Sequence, residues 1–242
     1  MFKPVMYLLC GWLFVASSKA NILIAAQNEW PPYIMNDAYG RGLAYDIVSN
    51  ALAKQGYQIQ FSFKPWTRSL KELRMGKIDL IIALWKSPER AQWMHFSESY
   101  LTNDIHLVGL KGDDLVYHSP ESLHGKTIAL IENYAYDPDF LASDAYTHFP
   151  STDLINSIRQ VLSGRADMFV EDKLVTKWTL INKQLPYHEF VFIENSIAST
   201  PLHVAVRKSH PQAEAIIKAI NQGIKETTAE DIQSLKRKYS LD

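Results

Sequence analysis

Between Trp66 and Tyr100 the spacing of apolar residues changes from helix-like to strand-like and back. Leu70 and Leu73 fall on one helical face, and Gly76 follows where a C-terminal cap belongs. Ile78 to Leu84 is a nearly unbroken apolar run, the pattern of a strand buried on both faces of a parallel sheet. Ser87-Pro88-Glu89-Arg90 then joins a favoured N-cap to a proline at the first helical position. Arg90 is thereby predicted in the first turn of a helix, just past the carboxyl end of a buried strand, where ligands bind in open α/β sheets. A guanidinium beside free helix N–H groups suits a small carboxylate. The plainer alternative is an ordinary solvated or ion-paired helix arginine.

The rest of the chain alternates in the same way. Asn21 to Ala26 is a first strand, ending in Gln27-Asn28-Glu29-Trp30-Pro31-Pro32-Tyr33, whose two prolines impose an extended loop that carries aromatic residues. Trp30 is either a core residue or faces a ligand from that loop. Leu43, Ile47, Val48, Ala51 and Leu52 mark an amphipathic helix closed by Gly56, and Gln58 to Phe63 alternates as a strand. Trp66 again sits where a strand passes into a helix. Strands are predicted at Ile105–Leu110, Thr127–Ile131, Ala166–Val170, Val191–Ile193 and His203–Val206. Helices are predicted from Leu154 to Leu162, from Ala213 to Ile224 and around Ala229 to Tyr239. The order strand–helix–strand implies parallel pairing through right-handed crossovers.

Gly76-Lys77-Ile78-Asp79 and Gly164-Arg165-Ala166-Asp167 share one grammar of helix, glycine, basic residue and strand. The first unit leads to Arg90 and the second to Glu171-Asp172. If the units face each other, one cleft holds a cation and anions, as a zwitterion requires. Neighbouring strand residues point to opposite faces, so one of the two acids is expected to see that cleft.

The N-terminus alters the address. Lys3, the apolar stretch Val5–Ala16, and small Ser18 and Ala20 form a secretory signal with cleavage expected before Asn21. Leu9 before Cys10 argues against a lipoprotein. Removing residues 1 to 20 takes away Lys3 and Lys19 and no acid, moving the net charge from −1 to −3, and it removes the single cysteine. The remaining chain has no disulfide framework and depends on its core. Mixed, mildly acidic charge argues against nucleic acid. The eight histidines form no i, i+4 pair or cluster with acids, so no metal site is expected. There is no phosphate-binding glycine loop and no nucleophile elbow, and Ser87 is better explained as a cap than as a nucleophile.

These residues, taken with Gly42-Leu43 and Asp46, Phe96-Ser97 and Tyr100, Leu123 with Gly125-Lys126, and Ala205-Val206-Arg207-Lys208, give a chain that resembles the family-3 periplasmic solute-binding proteins, amino-acid-binding type, from Ile22 to about Tyr239. The resemblance implies a type II two-lobed α/β fold, with two parallel-rich sheets flanked by helices and two hinge strands. It implies lobe one at 21–109 plus 199–242 and lobe two at 110–198. The partners it implies are a small-molecule ligand and an inner-membrane ABC permease or receptor, met by a monomer without cofactor. Arg90 matches the arginine that pairs with the ligand carboxylate, Asp172 the aspartate that takes its ammonium, and Trp30 and Trp66 the aromatics that sandwich its side chain. Two positions depart from the family. Trp85 stands where a hydroxyl is usual five residues before the arginine, and Asn133-Tyr134 replaces a Gly-Thr turn. Trp85 and Tyr134 either line an aromatic pocket suited to rings or cations or pack at its rim. The alternatives to transport are a sensor for a membrane receptor and a periplasmic enzyme like cyclohexadienyl dehydratase, for which Glu171 and Asp172 form an acid–base pair if their pKa values are split.

Overall fold

The apolar runs become strands and the helical periodicities become helices in the computed structural model, which describes residues 21–38, 40–112 and 116–241. The expected leader, 1–20 with Cys10, lies outside the described residues. The first half of the chain contains β1 (Asn21–Gln27), α1 (Leu43–Lys54), β2 (Tyr57–Phe63), α2 (Trp66–Arg74), β3 (Leu80–Trp85), α3 (Pro88–Trp93), β4 (Met94–Phe96) and β5 (Leu101–Leu110). The second contains β6 (Thr127–Ile131), α4 (Pro138–Ala142), β7 (Thr147–Ser151), α5 (Leu154–Leu162), β8 (Met168–Asp172), α6 (Lys173–Asn182), β9 (Phe190–Phe192), β10 (Ala198–Arg207), α7 (Ala213–Lys225) and α8 (Ala229–Lys238).

The strands run in the order β2-β1-β3-β10-β5-β8-β6-β7, with β4 added beside β10 and β9 beside β5. β2, β1 and β3 are parallel, as are β7, β6 and β8. Each parallel set carries its own helices, so the fold is two-lobed. The two long strands join the sets. β10 pairs antiparallel with β3 through Leu202–Val206, and β5 with β8 through Ile105–Gly109. β5 and β10 pair with each other between Leu101↔Leu202 and Ile105↔Ala198. The two expected sheets are therefore continuous in hydrogen bonding through their hinge strands. Both hinge strands begin earlier than their apolar runs, because Thr102-Asn103-Asp104 and Ser199-Thr200-Pro201 pair without an apolar face.

The echo between the two glycine units is structural. Gly76 and Gly164 adopt positive φ, 73° and 71°, at the ends of α2 and α5. Asp79 Oδ2 then accepts from the Ile24 N–H at 2.7 Å, and Asp167 Oδ2 accepts from the Thr127 N–H at 2.7 Å. Each aspartate thus clips its strand entry to the neighbouring parallel strand, and the shared motif is a scaffold device for both lobes.

Helix α6 carries apolar Leu174, Val175, Trp178, Leu180 and Ile181, of which Val175 and Leu180 are buried. Its buried face includes Thr176 and Thr179, while Ile181 is 60 % exposed, so hydrophobicity does not mark the inward side. β7 carries Pro150 within a strand that pairs on one side with β6 alone, the edge position where a missing N–H is tolerated.

The aromatic loop after β1 is held from below by α1. The Leu43 and Ala44 N–H groups donate to the carbonyls of Pro32 and Tyr33, at 2.9 and 3.1 Å. Gly42 makes this approach possible, because its φ is 103° and a β-carbon would stand 2.3 Å from the Tyr33 carbonyl oxygen.

Candidate functional site

Strand β3 is buried along its whole length and delivers Arg90 to the cleft. Ser87 caps α3 by accepting from the Arg90 N–H at 3.2 Å, as its sequence position predicts. The Arg90 side chain is buried, with 6 % of the residue exposed. Nη1 donates to the Trp85 carbonyl at 2.5 Å and Nη2 to the Asn133 carbonyl at 2.6 Å. The guanidinium lies 5.1 Å from the Trp66 ring centre. Among the described residues it forms no ion pair with a carboxylate. Burial holds its pKa down to about 10, so it remains a cation at neutral pH.

The aromatic residues predicted at the site come together. A cavity of about 20 Å3 is lined by Trp30, Trp66, Trp85, Arg90 and Tyr134, with Gln27, Asn28, Ala83, Leu84 and Ala135. It has room for about one water molecule. The Trp85 ring centre lies 5.2 Å from Tyr134, 5.9 Å from Trp30 and 6.0 Å from Tyr136, in edge or tilted contacts. The Trp85 indole does not donate into the cavity. Its Nε1 goes to Asn103 Oδ1 on the hinge strand, at 2.7 Å. Trp30 and Trp66 are also buried, so each is a core residue that lines the cleft. Outside this inner cavity a larger chamber of about 640 Å3 opens between the lobes, with Asn28, Glu29, Trp30, Pro31 and Trp66 on one wall and Tyr134, Thr152–Asn156, Arg159, Thr179 and Lys183 on the other.

Two contacts close the cleft at the position of the replaced Gly-Thr turn. The Asn133 carbonyl accepts from Arg90 and from Trp66 Nε1, the latter at 3.1 Å. Asn133 has φ 62°, a conformation that asparagine tolerates better than most residues, so the left-handed bend survives without glycine. Its two donors come from distant segments, so no local pattern singles out this acceptor.

Asp172 ends β8 and is the N-cap of α6, and both it and Glu171 reach across to the loop after β1. Glu171 Oε1 accepts from Trp30 Nε1 at 3.3 Å, and Asp172 Oδ2 lies 3.5 Å from the Tyr33 hydroxyl. Asp172 Oδ2 also accepts from Asn103 Nδ2 and the Asp104 N–H, both at 3.1 Å, and Oδ1 from the Val175 N–H at 2.8 Å. Asn103 and Tyr33 are the site residues that the sequence left unassigned. Asn103 sits in a polar run before the predicted start of its strand, where no pattern singles it out.

Burial raises both carboxyls, Glu171 to about 8, and the donors around Asp172 oppose its rise. The sign of the resulting stability change follows. Folded Glu171 keeps its proton up to about 8 and the unfolded chain loses it near 4.5, so the native state binds more protons between these values. Its contribution is full below pH 4.5 and declines as pH rises through 8. Glu171→Gln is expected to remove on the order of 3–5 kcal/mol of this pH dependence, measured by urea unfolding from pH 4 to 9. An unchanged slope would sink the assignment.

Among the described residues no group of three or more His, Cys, Asp or Glu side chains is placed to hold a metal ion, and no helix is long and apolar enough to cross a membrane.

Comparison with known proteins follows the same outline. The family model described as bacterial extracellular solute-binding proteins, family 3, matches residues 22–242. Holo ArgBP from T. maritima superposes with a TM-score of 0.73 at 21 % identity, covering 90 % of this chain and 96 % of that one. An ancestral arginine-binding protein bound to arginine gives 0.77 at 23 % identity, covering 90 % and 98 %. The ancestral amino acid-binding protein AncCDT-1, a precursor of cyclohexadienyl dehydratase, gives 0.72 at 20 % identity, covering 90 % and 95 %. At these identities the structures establish the fold. No curated protein matches the chain in sequence.

Proposed function

Because the chain belongs to the bacterial extracellular solute-binding proteins of family 3, we propose that it is a periplasmic binding protein that captures a small polar solute, amino-acid-like or an aromatic carboxylate, and delivers it to an inner-membrane ABC importer. The observation that carries this reading is Arg90. It is a buried cation with no acidic partner among the described residues, at the start of a helix, on the wall of an aromatic cleft. Such a group is stabilised by a carboxylate that brings its own charge and lone pairs. The outer chamber, within the roughly 300–1,000 Å3 range of ligand sites, suits a small solute.

The mature protein would begin at Asn21 after cleavage of the leader and act as a monomer. Lobe one would comprise 21–109 with 199–242, and lobe two 110–198. Pairing of Leu101–Ile105 with Ala198–Leu202 supports a hinge in those segments, around which the lobes close.

A thermal-shift panel of amino acids, aromatic acids and polyamines tests the proposal, since binding to the folded form raises the melting temperature. At least one carboxylate-bearing compound is expected to stabilise the protein, and product analysis of that mixture should return the compound unchanged. A panel in which no carboxylate shifts the transition would overturn it, and turnover of the stabilising compound would favour an enzyme.

A further inference from the structure

The basic residues in and around α2 meet two different fates. Arg68, and Lys64 from the loop before the helix, are both held by Glu72: Arg68 Nε donates to Oε1 at 2.8 Å and Lys64 Nζ donates to Oε2. Lys71 and Arg74 have no carboxylate partner among the described residues. They lie one turn apart on one face of the helix, and that face forms a wall of a cavity of about 270 Å3. Glu89, Arg90 and Trp93 of α3 line the same cavity, and so does Asn133 from the loop after β6. The cavity shares Arg90 with the inner aromatic cavity but touches neither Trp30 nor Trp85.

Both guanidiniums in this pocket are held by neutral groups. That of Arg74 lies 5.0 Å from the Trp93 ring centre, and that of Arg90 donates to the carbonyls of Trp85 and Asn133. These contacts fix the groups in place without neutralising them. Lys71, Arg74 and Arg90 share the pocket with one acid, Glu89, so two positive charges are left uncompensated. The last turn of a helix favours a cation through its dipole. That accounts for a basic residue at Lys71 or Arg74, but not for two guanidiniums held by neutral partners at one cavity.

The charge and geometry specify the guest. A guanidinium fork matches the paired oxygens of an oxyanion, and an ammonium adds a point charge. Two uncompensated charges suit a dianion better than a single carboxylate. We propose that the pocket between α2 and α3 binds a phosphate-type oxyanion, gripped by Lys71 and Arg74 and flanked by Arg90. The anion is free phosphate or sulfate, or the phosphoryl group of a larger solute. The proposal goes beyond the cleft reading above and does not depend on it.

The test uses the full mature chain, with inorganic phosphate and sulfate as probes and sodium chloride at matched ionic strength as the control. Thermal shift and isothermal titration should show saturable phosphate binding that chloride does not reproduce. Arg74→Ala and Lys71→Ala should each lose roughly tenfold or more in phosphate affinity. Arg68→Ala, which alters the arginine already held by Glu72, should bind phosphate as the parent does. Glu89→Gln removes the one acid and should tighten binding, which a purely structural role for these residues would not produce. Glycerol phosphate and O-phospho-L-serine, compared with glycerol and L-serine, separate the two sources. Tighter binding of an organic phosphate than of inorganic phosphate assigns the anion to the solute. Phosphate stabilisation that adds to that of the carboxylate found by the panel assigns it to a separate ion. Equal stabilisation by phosphate and chloride, phosphate affinity undiminished in both Arg74→Ala and Lys71→Ala, or an equal loss in Arg68→Ala would overturn the inference. Should Arg74→Ala fail to fold, Lys71→Ala and Glu89→Gln decide. Failure of the parent to bind any carboxylate would overturn the cleft reading and leave this site standing.

Discussion

Arg90→Ala is expected to weaken binding of a carboxylate solute by on the order of 2–5 kcal/mol, since it removes a charge-assisted and bidentate contact. The side chain presents several N–H donors in a fixed plane, and two of them already hold the carbonyls of Trp85 and Asn133. These bonds fix the fork in the cleft wall, so little ordering is required when the solute arrives. The alanine variant also removes a donor from the carbonyls of Trp85 and Asn133, leaving Asn133 with Trp66 Nε1, and a modest fall in melting temperature should accompany the loss of binding. Arg90→Lys should recover the charge but not the fork, and so restore only part of the affinity. Titration of each folded variant with the carboxylate found by the panel checks the order. Affinity for that compound equal to the parent's in Arg90→Ala would sink the assignment.

Trp85→Ala is expected to destabilise the protein by about 3–5 kcal/mol, the usual cost of deleting a large buried aromatic. Trp85 is 4 % exposed and meets the rings of Trp30, Tyr134 and Tyr136, contributed by both lobes. It is also the first member of a buried chain in which its indole donates to Asn103 and Asn103 donates to Asp172. Trp85→Phe separates the two contributions. It keeps most of the packing and leaves Asn103 Oδ1 without its donor, for an expected loss of about 1–3 kcal/mol. Urea unfolding of both variants measures the difference. A Trp85→Phe variant as unstable as Trp85→Ala would show that the hydrogen bond, rather than the ring, is the larger effect.

Much of the fold was legible because its signals are local. The caps at Ser87 and Gly76, the apolar run of β3 and the periodicity of α1, α5 and α7 depend on residues within a turn or two of each other. The elements that escaped are those whose environment is set from a distance. α6 buries two threonines alongside Val175 and Leu180 and exposes an isoleucine, so apolarity alone does not mark its inward side. The hinge halves of β5 and β10 are polar because they pair with each other between the lobes rather than cover a core.

The sequence by itself determined the family, the two-lobed class and the delivery of one cation and two acids to strand ends. It did so through short-range spacing, which is a property of neighbouring residues. Only the tertiary structure decided which charges are already satisfied. The bonds that occupy Asp172 come from Tyr33 and Asn103, 139 and 69 residues away, and the bond that ties Arg90 to the opposite loop spans 43. Satisfaction of a buried polar group depends on every group the fold brings within hydrogen-bonding distance, so the one oxygen of Glu171 without a partner among the described residues, Oε2, became visible only after the two lobes were in place.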